Sequence, residues 1–286
     1  MIDILRRVSG LLTGALRPCA PCTGLMLLMS LAGCLGSGPA TVQASEVQHW
    51  TRPVPLRSGF DTMGPSTQAM QTQDANHPGW FALEDGAKLY QRVDGRAQRA
   101  CTSCHGEASE SFRTTAAVYP RFDQVSGHAI DLSGRIEACR LRYQQADPWP
   151  REDARRLSLH AHIAMQARGQ PVQPDSDPRL QAARTQGHAR FNQRIGQLSL
   201  SCADCHDRNW GQRLGGSPIP QGHPNAYPLW RLQWQALGSL QRRLRSCLTG
   251  VRAEPWPAEH PAWIELELFL QWRAAGLKVE TPGVRP

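Results

Sequence analysis

The sequence predicts an all-α protein that consists of two tandem units related by internal duplication. Three observations favour this fold class. The pentapeptide C-x-x-C-H occurs twice, at residues 101–105 and 202–206, and residues around both copies repeat at matching spacings. Apolar residues recur with helical periodicity, whereas strand signals are sparse. Prolines and glycines break the stretches between the predicted helices.

Each C-x-x-C-H motif is typical of covalent haem attachment. Two thiols three residues apart add to the vinyl groups of one haem, and the adjoining histidine reaches the iron as proximal ligand. A zinc site is the alternative, but the two Cys pairs lie 101 residues apart, and zinc ribbons usually close a shorter loop. We therefore expect two haem c groups in two class I-like cytochrome c domains. The attachment residues are Cys101, Cys104 and His105, then Cys202, Cys205 and His206.

The N-terminus resembles an export signal. Three arginines precede a short apolar run at residues 25–29 that is too short for a comfortable membrane span, so an uncleaved anchor is disfavoured. Residues 31–34 match a lipoprotein cleavage box, and residues 42–44 offer an ordinary cleavage site. We expect a periplasmic protein, either lipid-anchored through Cys34 or soluble from near Ser45.

The charge is strongly positive and comes almost entirely from arginine. The formal net charge is +8 and falls to about +6 without residues 1–34. This balance suits small anions or an acidic protein partner, or it is a merely solvated surface. No segment resembles a nucleic-acid-binding motif, so nucleic acid is not an expected partner.

The repeat sets the predicted domain boundaries. In each unit a helix leads into the haem motif, a second helix carries Arg-x-x-x-Cys, and a third follows an Ala-acid-Pro-Trp-Pro block. The third helix of the second unit is predicted at residues 264–275. The halves differ mainly by a seven-residue insertion within residues 211–225. The boundaries are a leader at 1–34, an N-terminal extension at 35–78, a first cytochrome c domain at 79–178, and a second cytochrome c domain at 179–286. Residues 45–78 are predicted to be an extended arm and residues 171–178 the connection between domains.

The sixth iron ligand of the second haem is predicted to be a cysteine. No methionine follows the second motif, and Cys247 recurs at the corresponding place in the first unit as Cys139. A thiolate ligand lowers the reduction potential relative to methionine. A Cys139–Cys247 disulfide and inert buried thiols are alternatives. The other ligand candidates are His223 and His260 for the second haem, and Met165, His128 and His160 for the first.

An arginine stands four residues before each of these cysteines. Because positions i and i+4 share a helix face, Arg243 is predicted to lie beside Cys247, and Arg135 beside Cys139. A guanidinium there favours thiolate and offers paired donors to an anion. A haem propionate partner or simple solvation is the alternative for each arginine.

At these residues the chain resembles a known family, the dihaem A subunits of the Sox AX cytochromes, the L-cysteine S-thiosulfotransferases of bacterial sulfur oxidation. The resemblance covers roughly residues 80–275. Its strongest signature is residues 240–247, which run on to Val251-Arg252-Ala253-Glu254-Pro255. Residues 202–207 and 222–228 add to it. Members with two haems carry the first motif, as this chain does.

The resemblance implies a reaction and a set of roles. Cys139 and Cys247 are the implied distal iron ligands, and Cys247 is the implied catalytic residue, carried as a persulfide, with Arg243 binding thiosulfate. The implied reaction joins thiosulfate to a cysteine of the YZ sulfur-carrier protein and releases two electrons to cytochrome c. A monohaem cytochrome, the X subunit, completes the implied heterodimer.

Two other functions stay open on the sequence. A dihaem thiosulfate dehydrogenase, which forms tetrathionate, can share His/Cys ligation. A non-catalytic dihaem electron carrier is the second alternative. The paired Arg-x-x-x-Cys elements favour the transferase.

Overall fold

A computed structural model describes residues 50–286 of the chain. The predicted leader, residues 1–34, and the rest of residues 1–49 lie outside the described residues. The helices are α1 (Pro65–Thr72), α2 (Trp80–Gln91), α3 (Thr102–His105), α4 (Ala108–Ser111), α5 (Thr115–Val118), α6 (Leu132–Cys139), α7 (Ala154–Met165), α8 (Gln181–Asn192), α9 (Cys202–His206), α10 (Leu240–Gly250) and α11 (Ala262–Arg273). The strands are β1 (Arg121–Asp123), β2 (His128–Ile130), β3 (Arg213–Leu214), β4 (Ser217–Pro218), β5 (Leu229–Arg231), β6 (Ala236–Gly238) and β7 (Gly283–Arg285).

Two long helix pairs form the framework on which the site residues are carried. Helix α2 packs on α7, and α8 packs on α11. Each contact requires a glycine, because a Cβ atom at Gly86 would overlap the Ser158 carbonyl and one at Gly187 would overlap the Glu265 carbonyl. The aromatic side chain four residues later, Tyr90 or Phe191, is buried. These contacts explain the Gly and aromatic spacing that recurs before both C-x-x-C-H motifs.

The prediction of an all-α fold was wrong in one respect, because short strands lie between the helices. Strands β1 and β2 form an antiparallel hairpin before α6, and β5 and β6 form one before α10. Strand β7 adds to β5 in parallel. The protein is therefore helix-rich with small sheets. The strands are too short to leave a periodic signal in the sequence.

The N-terminal extension also departs from the predicted extended arm. Residues 65–72 form α1, which begins at a proline, a residue suited to the first helical turn. The Gln71 side chain accepts hydrogen bonds from the Val284 backbone and from Arg285. Further upstream, the amide of Gln221 bridges Pro55 and Arg57. The extension is therefore packed against the second half of the chain.

The predicted connection at residues 171–178 is also packed against the C-terminal residues. The Val172 amide donates to Leu277, and Val279 donates to Gln170. Among residues 50–286, no helix is both long enough and apolar enough to cross a membrane.

Candidate functional site

The first of two cysteine cavities is lined by the residues that the first motif predicts. Its volume is about 530 Å³, within the range of small-molecule and cofactor sites. Cys101, Cys104 and His105 lie on one part of its wall, and Cys139, the last residue of α6, also lines it. The apolar wall residues are Phe112, Val118, Leu132, Ile136 and Ile163.

The arginine beside Cys139 is neutralised inside the protein. Arg135 donates a 2.6 Å hydrogen bond to the buried carboxylate of Asp123, which also pairs with Arg142 at 3.3 Å. Burial raises the pKa of Cys139, and the charges of Arg135 and Arg142 lower it by less. The expectation that the arginine favours the thiolate is therefore outweighed by burial at this cysteine.

The second cavity brings together the residues predicted for catalysis. Its volume is about 620 Å³, and His206, Arg243 and Cys247 all line it. Helix α10 begins after Ser239, whose hydroxyl caps the Arg242 amide, and runs past Cys247 to Gly250. The helical spacing therefore brings Arg243 and Cys247 to the same cavity, as predicted.

The proximal histidine of the second motif is oriented by its neighbours. The Nδ1 atom of His206 lies 2.7 Å from the Pro220 carbonyl, which leaves Nε2 for a metal. Burial lowers the pKa of His206, and this favours the neutral ring that ligates metals. Gly222, with φ of +75°, lies against the ring, where a Cβ atom would come within 2.9 Å of it. The loop after the motif is therefore shaped around this ring.

The attachment cysteines of the second motif lie on α9 beside this cavity. Ser201 and Asp204 form a capping box that starts the helix. Cys202, like Tyr227 and Leu244, packs against a buried apolar cluster that includes Phe191 and Phe269. Burial, and then the nearby Cys247, raise the pKa of Cys202 to about 12. Cys101 belongs to the other cavity, which argues against a zinc site shared by the two Cys pairs.

Both cavities fit a haem c group by their donor sets. The proximal histidine of a C-x-x-C-H motif and one further cysteine line each cavity. The wall of the first cavity is mainly apolar, whereas the wall of the second is more polar. None of the six described cysteines forms a disulfide, so Cys139 and Cys247 are not bonded to each other. The residues that would hold the groups are those predicted: Cys101, Cys104, His105 and Cys139, then Cys202, Cys205, His206 and Cys247.

Most of the alternative ligands lie away from the cavities. Met165 packs against an apolar cluster with Leu83 and Leu157, and His160 lines a small internal cavity. His128 lies on β2 and His260 stacks on Trp256, both along a separate groove. His223 does line the second cavity, but its Nε2 atom is 3.1 Å from Gln221 Oε1.

Several residues of the second cavity were missed by sequence reasoning. Residues 59–64 of the extension, the β3–β4 hairpin and the C-terminal Arg285 and Pro286 all contribute to the wall. Arg231 on β5 is a further cationic wall residue. The seven-residue insertion was visible in the sequence and falls on this hairpin. This difference between the two halves was the sequence signal that could have predicted additional wall residues at the second cavity.

Comparisons with known proteins agree on one family. The model of the SoxA/TsdA cytochrome c domain family matches residues 85–172. The L-cysteine S-thiosulfotransferase subunit SoxA of Pseudaminobacter salicylatoxidans is 33% identical over 229 residues, which cover 80% of each chain. The SoxA subunit of Rhodovulum sulfidophilum is 31% identical with the same coverage. A chain in the crystal structure of SoxXA from P. pantotrophus superposes with a TM-score of 0.77 at 27% identity, covering 81% of this chain and 87% of that chain.

Proposed function

Because the chain belongs to the SoxA family of L-cysteine S-thiosulfotransferase subunits, we propose that it oxidatively conjugates thiosulfate to a cysteine of a sulfur-carrier protein. The product is a carrier thiosulfonate, and two electrons pass to cytochrome c. The chain is a cytochrome c-type protein that uses haem c.

One observation carries the assignment of the site. The Arg243 guanidinium shares a cavity with the Cys247 sulfur and the His206 ring. Within residues 50–286, no carboxylate lies within ion-pair distance of Arg243, in contrast to Arg135. An uncompensated guanidinium beside a sulfur is suited to collecting a small anion.

The roles follow from this arrangement. Arg243 binds the sulfonate oxygens of thiosulfate and orients its terminal sulfur toward Cys247. Oxidation joins that sulfur to the Cys247 sulfur, and the two electrons released go to the cytochrome c acceptor. The carrier thiolate then attacks the terminal sulfur and releases Cys247 as the leaving thiolate. Haem c, when bound, would supply a one-electron acceptor beside Cys247, and Cys202, Cys205, His206 and Cys247 are the residues that would hold it.

The cofactor number and domain organisation are part of the proposal. Two haem c groups are held in two duplicated class I-like cytochrome c domains, residues 79–178 and 179–286. The matching Gly–helix contacts and the matching hairpins before α6 and α10 support duplication. In this proposal Cys139 would be the distal ligand of the first haem iron and Cys247 that of the second.

The partners and compartment are proposed on the same basis. The monohaem X subunit completes the enzyme, in keeping with the SoxXA crystal structure that this chain resembles. The YZ sulfur-carrier protein supplies the acceptor cysteine. The protein is exported to the periplasm, where haem is attached to its motifs.

A reconstituted assay tests the proposed activity. The haem-loaded complex with its X subunit is incubated with thiosulfate and oxidised cytochrome c, with and without the carrier. We expect cytochrome c reduction to depend on the carrier, and mass spectrometry to find one thiosulfonate on the carrier cysteine. Rapid carrier-free formation of tetrathionate would instead identify a thiosulfate dehydrogenase, and no thiosulfate turnover would identify an electron carrier.

A further inference from the structure

At one position the sign of the side-chain charge differs between the two halves of the chain. Strands β1 and β5 each follow a Tyr-Pro pair, and the third residue of each strand lies 16 residues before the cavity cysteine. That residue is Asp123 in β1 and Arg231 in β5. Asp123 is paired across its hairpin with His128, and Arg231 with Ala236. The two residues therefore occupy corresponding positions in the strand before the Arg-x-x-x-Cys helix.

Beside the first cavity, whose wall includes Arg135 but not Asp123, this position supplies a negative charge. The Asp123 side chain is buried and accepts hydrogen bonds from Arg135 and Arg142. Hydrogen bonds from Ser126, and then from Arg135, hold the pKa of Asp123 well below its usual range. The positive charge of Arg135, beside Cys139, is therefore paired with a carboxylate of the protein and needs no external anion.

In the second cavity the same position supplies a second positive charge. Arg231 and Arg243 both line the cavity, and no carboxylate within the described residues is ion-paired with either. The Nε atom of Arg231 donates a 3.3 Å hydrogen bond to Gln233, and its guanidinium lies 5.5 Å from the Trp234 ring. Arg285 differs, because Glu280 pairs with it at 2.7 Å.

The pKa of Arg231 is affected by the charge of Arg243, as expected for two guanidinium groups that line one cavity. Burial lowers the pKa of Arg231, and the charge of Arg243 lowers it further. Tyr227 and Cys247 raise it by smaller amounts. Two unpaired like charges in a partly buried cavity repel each other, and a bound anion relieves this repulsion.

We propose that Arg231 is a second anion-binding residue of the Cys247 cavity, which holds the sulfonate group of thiosulfate together with Arg243. Two planar guanidinium groups offer paired donors to the three oxygens of a sulfonate. The sulfane sulfur is then left to face Cys247. This inference rests on the proposed function and adds a second anchor for its substrate.

The test is thiosulfate binding by the haem-loaded complex, measured by equilibrium dialysis in Arg231→Gln, Arg231→Lys and Arg231→Asp variants. Loss of a charged hydrogen-bonding partner in Arg231→Gln is expected to weaken binding about 10- to 100-fold. The lysine variant should recover most of this loss. The aspartate variant should bind more weakly than the glutamine variant, because its carboxylate can pair with Arg243 as Asp123 pairs with Arg135. In turnover, KM for thiosulfate should rise and kcat at saturation should change little.

Arg252 provides a matched control for loss of one positive charge. It has φ of +58°, and the first half has Gln145, with φ of +53°, at the corresponding place. Arg252→Gln should bind thiosulfate like the wild-type protein. Haem spectra and melting temperatures of all variants check that the fold is kept.

The outcomes separate this inference from the proposed function. If Arg231→Gln binds thiosulfate as tightly as wild type while Arg243→Gln does not, Arg231 is not an anion ligand. If Arg252→Gln weakens binding as much as Arg231→Gln, bulk charge explains the effect and the inference is overturned. If the wild-type complex binds thiosulfate but conjugates none to the carrier, the proposed function fails and the anion site stands.

Discussion

The two cysteine cavities share one local design and differ in their charge. In both, an arginine precedes the cysteine by one helical turn, and a short hairpin precedes the helix. At the first cavity Asp123 neutralises Arg135. At the second, Arg231 stands in place of the aspartate, and Arg243 has no ion-pair partner among residues 50–286. The charge at this hairpin position therefore differs in sign between the two halves, and the arginine before each cysteine is ion-paired only in the first half.

The two cavities also differ in what surrounds them. Residues 59–64, the β3–β4 hairpin and the C-terminal residues all add to the wall of the second cavity. None of these segments lines the first cavity. These additional segments therefore form part of the wall of the cavity to which we assign thiosulfate conjugation.

The largest expected difference is between the two cysteines. Methionine can still ligate iron but cannot form the sulfur–sulfur bond, so Cys247→Met should lower carrier conjugation by more than about a thousandfold. The matched change Cys139→Met should leave conjugation within about tenfold of wild type. Stopped-flow reduction of cytochrome c and carrier mass spectrometry measure both. Equal losses in the two variants would remove the distinction between the cavities.

The two arginines should differ in the kind of defect they cause. Arg243→Gln should raise KM for thiosulfate about 10- to 100-fold, because it removes a charged donor to the anion. Arg135→Gln should leave KM unchanged and lower the melting temperature, because its partner is Asp123. A raised thiosulfate KM in Arg135→Gln would show that the first cavity also binds substrate.

The Asp123 ion pairs should make a pH-dependent contribution to stability. Asp123→Asn leaves Arg135 and Arg142 without their buried partner and should lower the free energy of unfolding by about 2 kcal/mol at pH 7. The pKa of Asp123 is depressed in the folded protein, so this contribution is present above about pH 4 and is lost as the pH falls toward the folded pKa.

Urea unfolding at pH 7, 5 and 3 checks the Asp123 prediction. The difference between wild type and Asp123→Asn should shrink at pH 3. The control is Asp85→Asn, which removes an exposed pair with Lys88 and should change stability little at any pH. A difference that is the same at all three pH values would show that the ion pairs do not stabilise the first half.

The smallest expected effect concerns the hairpin found only at the second cavity. Arg213 on β3 is exposed at the cavity wall. Because an exposed charge acts mainly on association, Arg213→Gln should raise KM for the carrier about two- to fivefold, more at low salt than at high salt. Thiosulfate binding should be unchanged. A carrier KM equal to wild type at every salt concentration would show that Arg213 does not contribute to association with the carrier.

Local patterns predicted much of the site but not its charge balance. The C-x-x-C-H motifs and the Arg-x-x-x-Cys spacing lie within single helices, where sequence distance fixes which residues share a face. The Asp123–Arg135 pair instead forms across a hairpin and a helix start. Nothing in the spacing alone distinguishes Arg135, which is paired, from Arg243, which is not.

The short strands and helix α1 were not predicted either, because long-range contacts determine them too. Strands of two or three residues are defined by their partners, so β1, β5 and β7 leave no periodic pattern. Helix α1 is held by contacts from Gln71 to residues more than 200 positions later. Such long-range contacts also bring the extension to the wall of the second cavity.

The most direct test of the central claim asks which cysteine carries the sulfur. The haem-loaded complex is incubated with thiosulfate and oxidised cytochrome c in the absence of carrier, so that only the first half-reaction can occur, and is then digested and mapped by mass spectrometry. We predict added sulfur, as thiosulfonate or persulfide, on the Cys247 peptide, and an unmodified Cys139 peptide. Added sulfur on Cys139 with Cys247 unmodified would contradict the account.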